Sequence, residues 1–249
     1  MIVAVLAFVP ILAVAEEEGV ASPQQKGYVR ICADPSNLPF SSSSSGPQGF
    51  EVELATLVAR DLGVEPRLEW ILTWVRPVWE LQKGKCDVFM GLPPSARFKA
   101  SQPWIAVSRP YYTMKHALVV KSAAGIRGIG DLAGKRVAVD AGRPADYYLL
   151  EKGIERGIYK RQEAALHAVD ADEAAAALLP LPIASWLARD KPALTVIPLD
   201  EPSLEIALGV ATRASDQRLT RAVDQAIGRL LASGEVQEIL LRYGAVPRP

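Results

Sequence analysis

The chain has 249 residues, 49% of them hydrophobic and 22% charged, with 28 basic and 28 acidic side chains. That length is enough to bury a sizeable core, as one large domain or two small ones. A balanced charge without any cluster of lysine or arginine leaves no electrostatic footprint for nucleic acid, so that class of partner is excluded.

Residues 1–15 form an apolar run ending in Ala13-Val-Ala15, followed by Glu16. A helix needs roughly 20 apolar residues to span a bilayer, so the run is too short for that role. The small-x-small ending is what a signal peptidase cuts, which predicts a signal peptide cleaved after Ala15 and an exported, periplasmic chain. No lysine or arginine precedes the run, so an uncleaved anchor stays as the other reading. Residues 16–27 read as a polar tether.

A strand is predicted over Tyr28–Ala33, stopped by Asp34-Pro35 because proline cannot continue a ladder. A serine-rich loop follows, and then a helix over 51–62, with acids in its first turn and Val52, Ala55, Val58, Ala59 and Leu62 on one stripe. A strand at 67–71, a helix at 77–83 and a strand at 86–91 complete a βαβαβ unit. The pattern restarts with a strand at 136–140, a helix at 146–155, a strand at 166–169, a helix at 171–179 and a strand at 195–197. Two short apolar strands, 116–121 and 206–211, read as connectors between the units. The first unit is then discontinuous and is completed by helices at 216–233 and 236–243, the former striped by Leu219, Val223, Ile227 and Leu230. The expected fold class is α/β in two lobes, each a mostly parallel sheet flanked by helices, with lobe 1 at 28–116 plus 210–249 and lobe 2 at 117–209. Two hinge strands joining two lobes suit closure on a ligand.

The first strand delivers Asp34, Asn37 and Phe40 to its carboxyl end, where ligands of open α/β sheets sit. The competing assignment has Asp34 and Asn37 satisfying turn amides while Phe40 plugs the lobe. In the second lobe, Gly142 and Arg143 lie between a strand and a helix, where free N–H groups and a guanidinium suit an anion. A plain strand–helix turn is the alternative there. Trp74 and Arg76, in the loop after the second strand, are the aromatic–cation pair expected to face the cleft. The two histidines, His116 and His167, fall on separate elements. No metal site, cofactor or catalytic residue is expected, and neither Gly-x-Ser-x-Gly nor a phosphate-binding loop occurs.

Cys32 and Cys86 are the two cysteines. An even count in an exported chain favours a disulfide. Strand geometry argues back, because a three-residue offset at about 3.3 Å per residue exceeds the roughly 7 Å limit between bridged Cα atoms.

The run Val29-Arg-Ile-Cys-Ala-Asp-Pro-Ser-Asn-Leu-Pro-Phe40, followed by Gly49-Phe-Glu-Val-Glu-Leu54, resembles the opening of the type II periplasmic solute-binding proteins, solute-binding family 3. The wording around Cys32, with Gly84-Lys-Cys-Asp-Val88 and Leu241-Arg-Tyr-Gly-Ala-Val-Pro247, is similar to one branch. That branch comprises accessory proteins encoded beside quinoprotein alcohol dehydrogenases such as the methanol dehydrogenase system. The resemblance implies the type II periplasmic-binding fold and no enzymatic role, although some relatives are dehydratases or lytic transglycosylases. It also implies that the turn carrying Leu92, Ser95 and Arg97 matches one whose hydroxyl and arginine hold a ligand carboxylate. This turn is one residue short and carries Pro93 and Pro94. Amino-acid binders of the family show a Gly-x-x-Asp-Ala turn, an apolar strand and an aspartate facing the ligand amine. Here the segment 178–186 carries two prolines and reads as shortened, and no acid occurs between Glu173 and Asp190.

Two functions follow. One is a monomer that captures a small polar or anionic solute in an interlobe cleft for the membrane permease of an ABC transporter. The other is an accessory protein of a periplasmic PQQ-dependent alcohol dehydrogenase, its cleft vestigial.

Overall fold

The computed structural model describes residues 23–72 and 77–246. The segments expected as signal peptide and, for the most part, as tether, together with Trp74 and Arg76, lie outside the described residues. After a single helical turn, α1 (Pro23–Lys26), the chain enters β1 (Tyr28–Ala33), whose Val29 and Ile31 are buried. Two-residue strands β2 (Ser36–Asn37) and β3 (Ser41–Ser42) pair into a ribbon on the following loop. Then come α2 (Phe50–Asp61), β4 (Glu65–Trp70), α3 (Pro77–Gln82), β5 (Val88–Leu92), α4 (Ala96–Ser101), β6 (Ile105–Val107) and β7 (Tyr112–Met114). The second lobe holds β8 (His116–Lys121), β9 (Val137–Asp140), α5 (Pro144–Glu151), β10 (Arg156–Tyr159), α6 (Gln162–Asp170), β11 (Ala176–Pro180), α7 (Leu181–Ala188) and β12 (Leu194–Pro198). The chain returns through β13 (Ile206–Arg213), α8 (Gln217–Ser233) and α9 (Glu235–Arg242).

The first sheet has six strands in the order β4-β1-β5-β13-β6, with β7 also on β13. Its β4-β1-β5 half is parallel, and β13 runs antiparallel to its neighbours. The second sheet has five strands in the order β10-β9-β11-β8-β12, parallel up to β11 and antiparallel beyond it. In each lobe, helices cover both faces of the sheet. In the first, α2, α8 and α9 pack one face through Leu54, Val58, Val223, Ile227 and Ile239, while Ile71, Leu81, Phe89 and Ile105 cluster on the other.

The connector strands do not straddle the lobes as expected. β8 lies wholly in the second sheet and β13 wholly in the first, where Ile206 pairs with Met114. The crossings are Lys115 and the stretch from Leu199 to Glu205, clasped by ion pairs from Lys115 to Asp200 (2.5 Å) and Glu205 (3.7 Å).

Three second-lobe assignments change. The strand expected at 166–169 is the second half of α6, where Ala165, Leu166, Ala168 and Val169 recur at helical spacing and are buried. The helix expected at 171–179 is a turn followed by β11. Asp172 adopts φ +61°, a left-handed position that a glycine takes more readily. The alanine run 174–177 prefers helix in isolation, yet β11 is a central strand between β8 and β9 with Ala176 to Leu179 at 0% exposure. Finally, Pro180 and Pro182 do not interrupt the segment. They open α7, where a missing N–H costs nothing.

Cys32 and Cys86 form a disulfide with Cα atoms 5.5 Å apart. The offset argument fails because Cys86 is not in an extended strand. α3 ends in a turn at Gly84 (φ +73°), with the Lys85 amide bonded to the Glu80 carbonyl, and the curled backbone lifts Cys86 over β1 before β5 begins. Beside it, the Asp87 carboxylate is buried and takes bonds from the Arg30 amide and side chain and from Arg213 on β13. With a sequence separation of 54 between the cysteines, loop entropy assigns the bridge about 4 kcal/mol. Replacing both cysteines by serine is expected to lower the melting temperature by roughly 10 °C in scanning calorimetry.

Candidate functional site

The carboxyl ends of β1 and β5 meet over the first turn of α2. Asp34, just past β1, is buried, and its Oδ1 accepts the Ser36 amide at 2.9 Å. Asn37 is exposed on the β2–β3 ribbon, and its carbonyl accepts the Phe40 amide at 2.8 Å. Phe40 turns inward, its ring 4.8 Å from Phe50 in the lobe's core. The three candidates therefore part: Asp34 and Asn37 line a cavity of about 40 Å³ with Ser41, Glu51, Phe89 and Met90, while Phe40 packs behind it. That volume holds a few waters or one small polar group. Gly49 fixes the arrangement, because a Cβ there would lie 2.3 Å from the Phe40 carbonyl oxygen.

Glu51 is the residue that sequence reasoning passed over. Its place in a helix's first turn identified it as a dipole partner, and nothing in the pattern showed that it would be enclosed. Its Oε1 accepts the Tyr111 hydroxyl at 2.6 Å and faces Gly91 (φ +81°), where a Cβ would lie 2.5 Å away. Burial lifts the Glu51 carboxyl from 4.5 to about 7, against the Tyr111 bond, which favours the charged form. Burial, and then the charge of Glu51, push the Tyr111 phenol well up in turn.

Leu92 closes β5, and the turn after it leads to α4. Ser95 caps that helix, its Oγ accepting the Phe98 amide at 3.2 Å, so the hydroxyl oxygen is engaged locally. Arg97 is exposed in the first turn and has no ion-pair or hydrogen-bond partner among the described residues.

The second lobe's candidates are already engaged. The Gly142 amide donates to Asp146 Oδ2 at 2.9 Å, and Arg156 reaches Asp146 Oδ1 at 2.5 Å. These contacts, led by the Gly142 amide, hold the Asp146 carboxyl below its ordinary range. Arg143 Nε sits 3.4 Å from Asp140 Oδ2, and burial pushes the Asp140 carboxyl up against that pairing. Gly142 and Arg143 thus each face an acid of the same lobe, and the Arg143 side chain stays 61% exposed. β11 ends at Pro180, opposite His116, and supplies no carboxylate there. A larger concavity of about 320 Å³ lies between α2 and α9, but it contains none of the candidate residues. Among the described residues no group of three or more His, Cys, Asp or Glu is arranged for a metal.

Glu51 sets a testable pH dependence. Its folded-state pKa is raised, so the unfolded chain releases this proton first as pH rises from 4.5. The stability it contributes is complete below pH 4.5 and falls by about 3 kcal/mol as pH passes 7. The melting temperature is expected to drop between pH 5 and 8, and Glu51→Gln to flatten most of that slope.

Against known proteins, the sequence profile of the bacterial extracellular solute-binding proteins, family 3, matches residues 29–246. The chain is 26% identical over 245 residues to the histidine-binding periplasmic protein of Salmonella typhimurium, covering 90% of this chain and 88% of that one. It is 24% identical over 200 residues to the arginine-binding extracellular protein ArtP of Bacillus subtilis, covering 78% and 77%. Among solved structures, an ancestral cationic amino acid solute-binding protein superposes with a TM-score of 0.76 at 26% identity, covering 88% of this chain and 96% of that one. With the two-lobe fold and a polar cavity at the strand ends, the match over nearly the whole described chain means that this protein belongs to the bacterial extracellular solute-binding proteins, family 3.

Proposed function

We propose that this chain is an exported, monomeric solute-binding protein that captures a small polar solute bearing a carboxylate and hands it to an ABC-type permease. The observation that carries the reading is Arg97, exposed at the exit of β5 without a partner among the described residues. Arg143, the other candidate for an anion, already sits 3.4 Å from Asp140, which favours the first lobe as the anion's place.

The relatives' names point to arginine, histidine and cationic amino acids. An α-ammonium group needs a counter-charge in a closed cleft, and leaving one uncompensated costs a few kcal/mol. Pro180 ends β11 where such an acid would stand, and no acid occurs from Leu178 through Trp186. A carboxylate without an α-amino group fits better, with its donor groups directed at Asp34 and Asn37.

A second reading, as an accessory to a periplasmic quinoprotein dehydrogenase, is favoured by one observation. The Cys32–Cys86 bridge ties together the two segments that carry the branch resemblance, and Cys32 lines the cavity.

A thermal-shift screen of the chain lacking residues 1–15, with millimolar hydroxy and keto carboxylates, amino acids and pyrroloquinoline quinone, separates these readings. A carboxylate with a Kd near 10 μM adds about 2.7 kcal/mol at a hundredfold excess, a shift of roughly 5–10 °C. Arg97→Ala is expected to weaken that binding by roughly 10- to 100-fold, and Arg143→Ala to leave it unchanged. Larger shifts with zwitterionic amino acids would overturn the substrate class. A flat screen on folded protein, with binding to a purified quinoprotein dehydrogenase, would support the accessory role.

A further inference from the structure

The two lobes touch away from the crossing segments. Trp186, in the middle of α7, lays its indole against the Tyr243 ring of the first lobe, with centroids 6.1 Å apart and planes 29° from parallel. Arg189 covers the same indole, its guanidinium carbon 4.0 Å from the ring centroid. Next to the stack, Gly244 lies so close to α7 that a Cβ on it would be 3.2 Å from Cβ of Ser185. An aromatic stack under a guanidinium is a specific, oriented contact rather than casual apposition.

Both ends of this contact lead to the ligand-binding machinery. On the lobe 2 side, the amide of Leu181, first residue of α7, donates to the Lys115 carbonyl at 2.8 Å, which fixes the start of the helix to a crossing segment. On the lobe 1 side, the Tyr243 hydroxyl donates to Glu53 (2.5 Å) and accepts the Gly49 amide (3.1 Å). Gly49 in turn abuts Phe40, behind the cavity that Asp34 and Asn37 line. Trp186 lies five residues beyond Leu181, about 7.5 Å along the helix at its ordinary rise. A lobe rotation of roughly 30° at that radius moves the indole by about 4 Å, enough to make or break a ring contact.

We infer that Trp186 and Tyr243 form an interlobe latch that sets the resting angle of the cleft, so that a contact no ligand touches tunes ligand affinity. The observed affinity of a two-state binder scales with the fraction already in the competent state, so a latch that changes this fraction changes affinity without altering the site. The inference needs only the two-lobe fold and stands whatever solute the cleft takes.

The test uses ligand-free full-length protein with spin labels at two exposed positions flanking the cleft, Ser45 in the first lobe and Lys160 in the second, read as a distance distribution. Trp186→Ala is expected to move the ratio of short to long distances by two- to tenfold, the scale of one aromatic stack. Trp186→Phe, which keeps a ring, should stay near the wild-type distribution. Tyr243→Phe keeps the stack but drops the bonds to Glu53 and Gly49, so it should lower the melting temperature and leave the distances alone. Superimposable distributions for wild type and Trp186→Ala overturn the latch. A shift in Tyr243→Phe equal to that in Trp186→Ala also overturns it, by assigning the effect to the seating of α2. If Trp186→Ala does not fold, Trp186→Leu, which preserves apolar volume without a ring, carries the same two outcomes.

Discussion

Asp87 is the carboxylate on which the first lobe turns. It is 1% exposed, and it joins β1 through Arg30 to the return strand β13 through Arg213, two stretches of chain separated by the whole second lobe. Arg213 also reaches the carbonyls of Leu81 and Cys86, so the turn that starts β5 is held from both sides. Burial alone would raise the Asp87 carboxyl; the bonds from Arg30 and Arg213 outweigh it and hold the group below its ordinary range. Removing one partner of such a cluster leaves an uncompensated buried charge and costs about 3–5 kcal/mol. Asp87 and Glu51 thus act with opposite sign in one lobe. The first favours the ionised form and loses stability on acidification, and the second favours the proton.

What the sequence made legible was what periodicity and punctuation encode. The stripe Leu219, Val223, Ile227, Leu230 became the buried face of α8, and Asp34-Pro35 ended β1 where expected. The failures cluster in the second lobe and share a cause. β11 is buried on both faces, so it has no alternation to read, and its alanine run carries the local signature of a helix. The leucine, alanine and valine of α6 carry the signature of a strand, yet the strand lies ten residues further on. The cysteine pairing stays open at the level of sequence because the turn after α3 curls out of the ladder, a feature of tertiary geometry rather than of spacing.

The site was less legible than the fold, because its chemistry depends on who is paired with whom. Arg143 and Arg97 look alike in sequence, yet one faces Asp140 and the other has no described partner. Gly142 offers an amide at a helix start, but the acid at Asp146, read only as a helix residue, takes it. Glu51 gained its raised pKa from burial, against the bond from Tyr111 60 residues away. Membership of a family settles the scaffold, while the chemistry of the site rests on individual side chains and their partners.

The interruption of the first lobe by the second also imposes an order of events on the growing polypeptide. β13, α8 and α9 are made last, so when the second sheet is complete the first still lacks the strand and helices that cover β1, β5 and α2. Residues 116–205 carry their own core, so the second lobe has what it needs to fold while the first is incomplete. Cys32 and Cys86 both belong to the early half, so their bridge requires no residue of the return segment. A bridge closed at that stage stands in for β13: it keeps β1 and the turn before β5 together through the interval in which about a third of the first lobe does not yet exist.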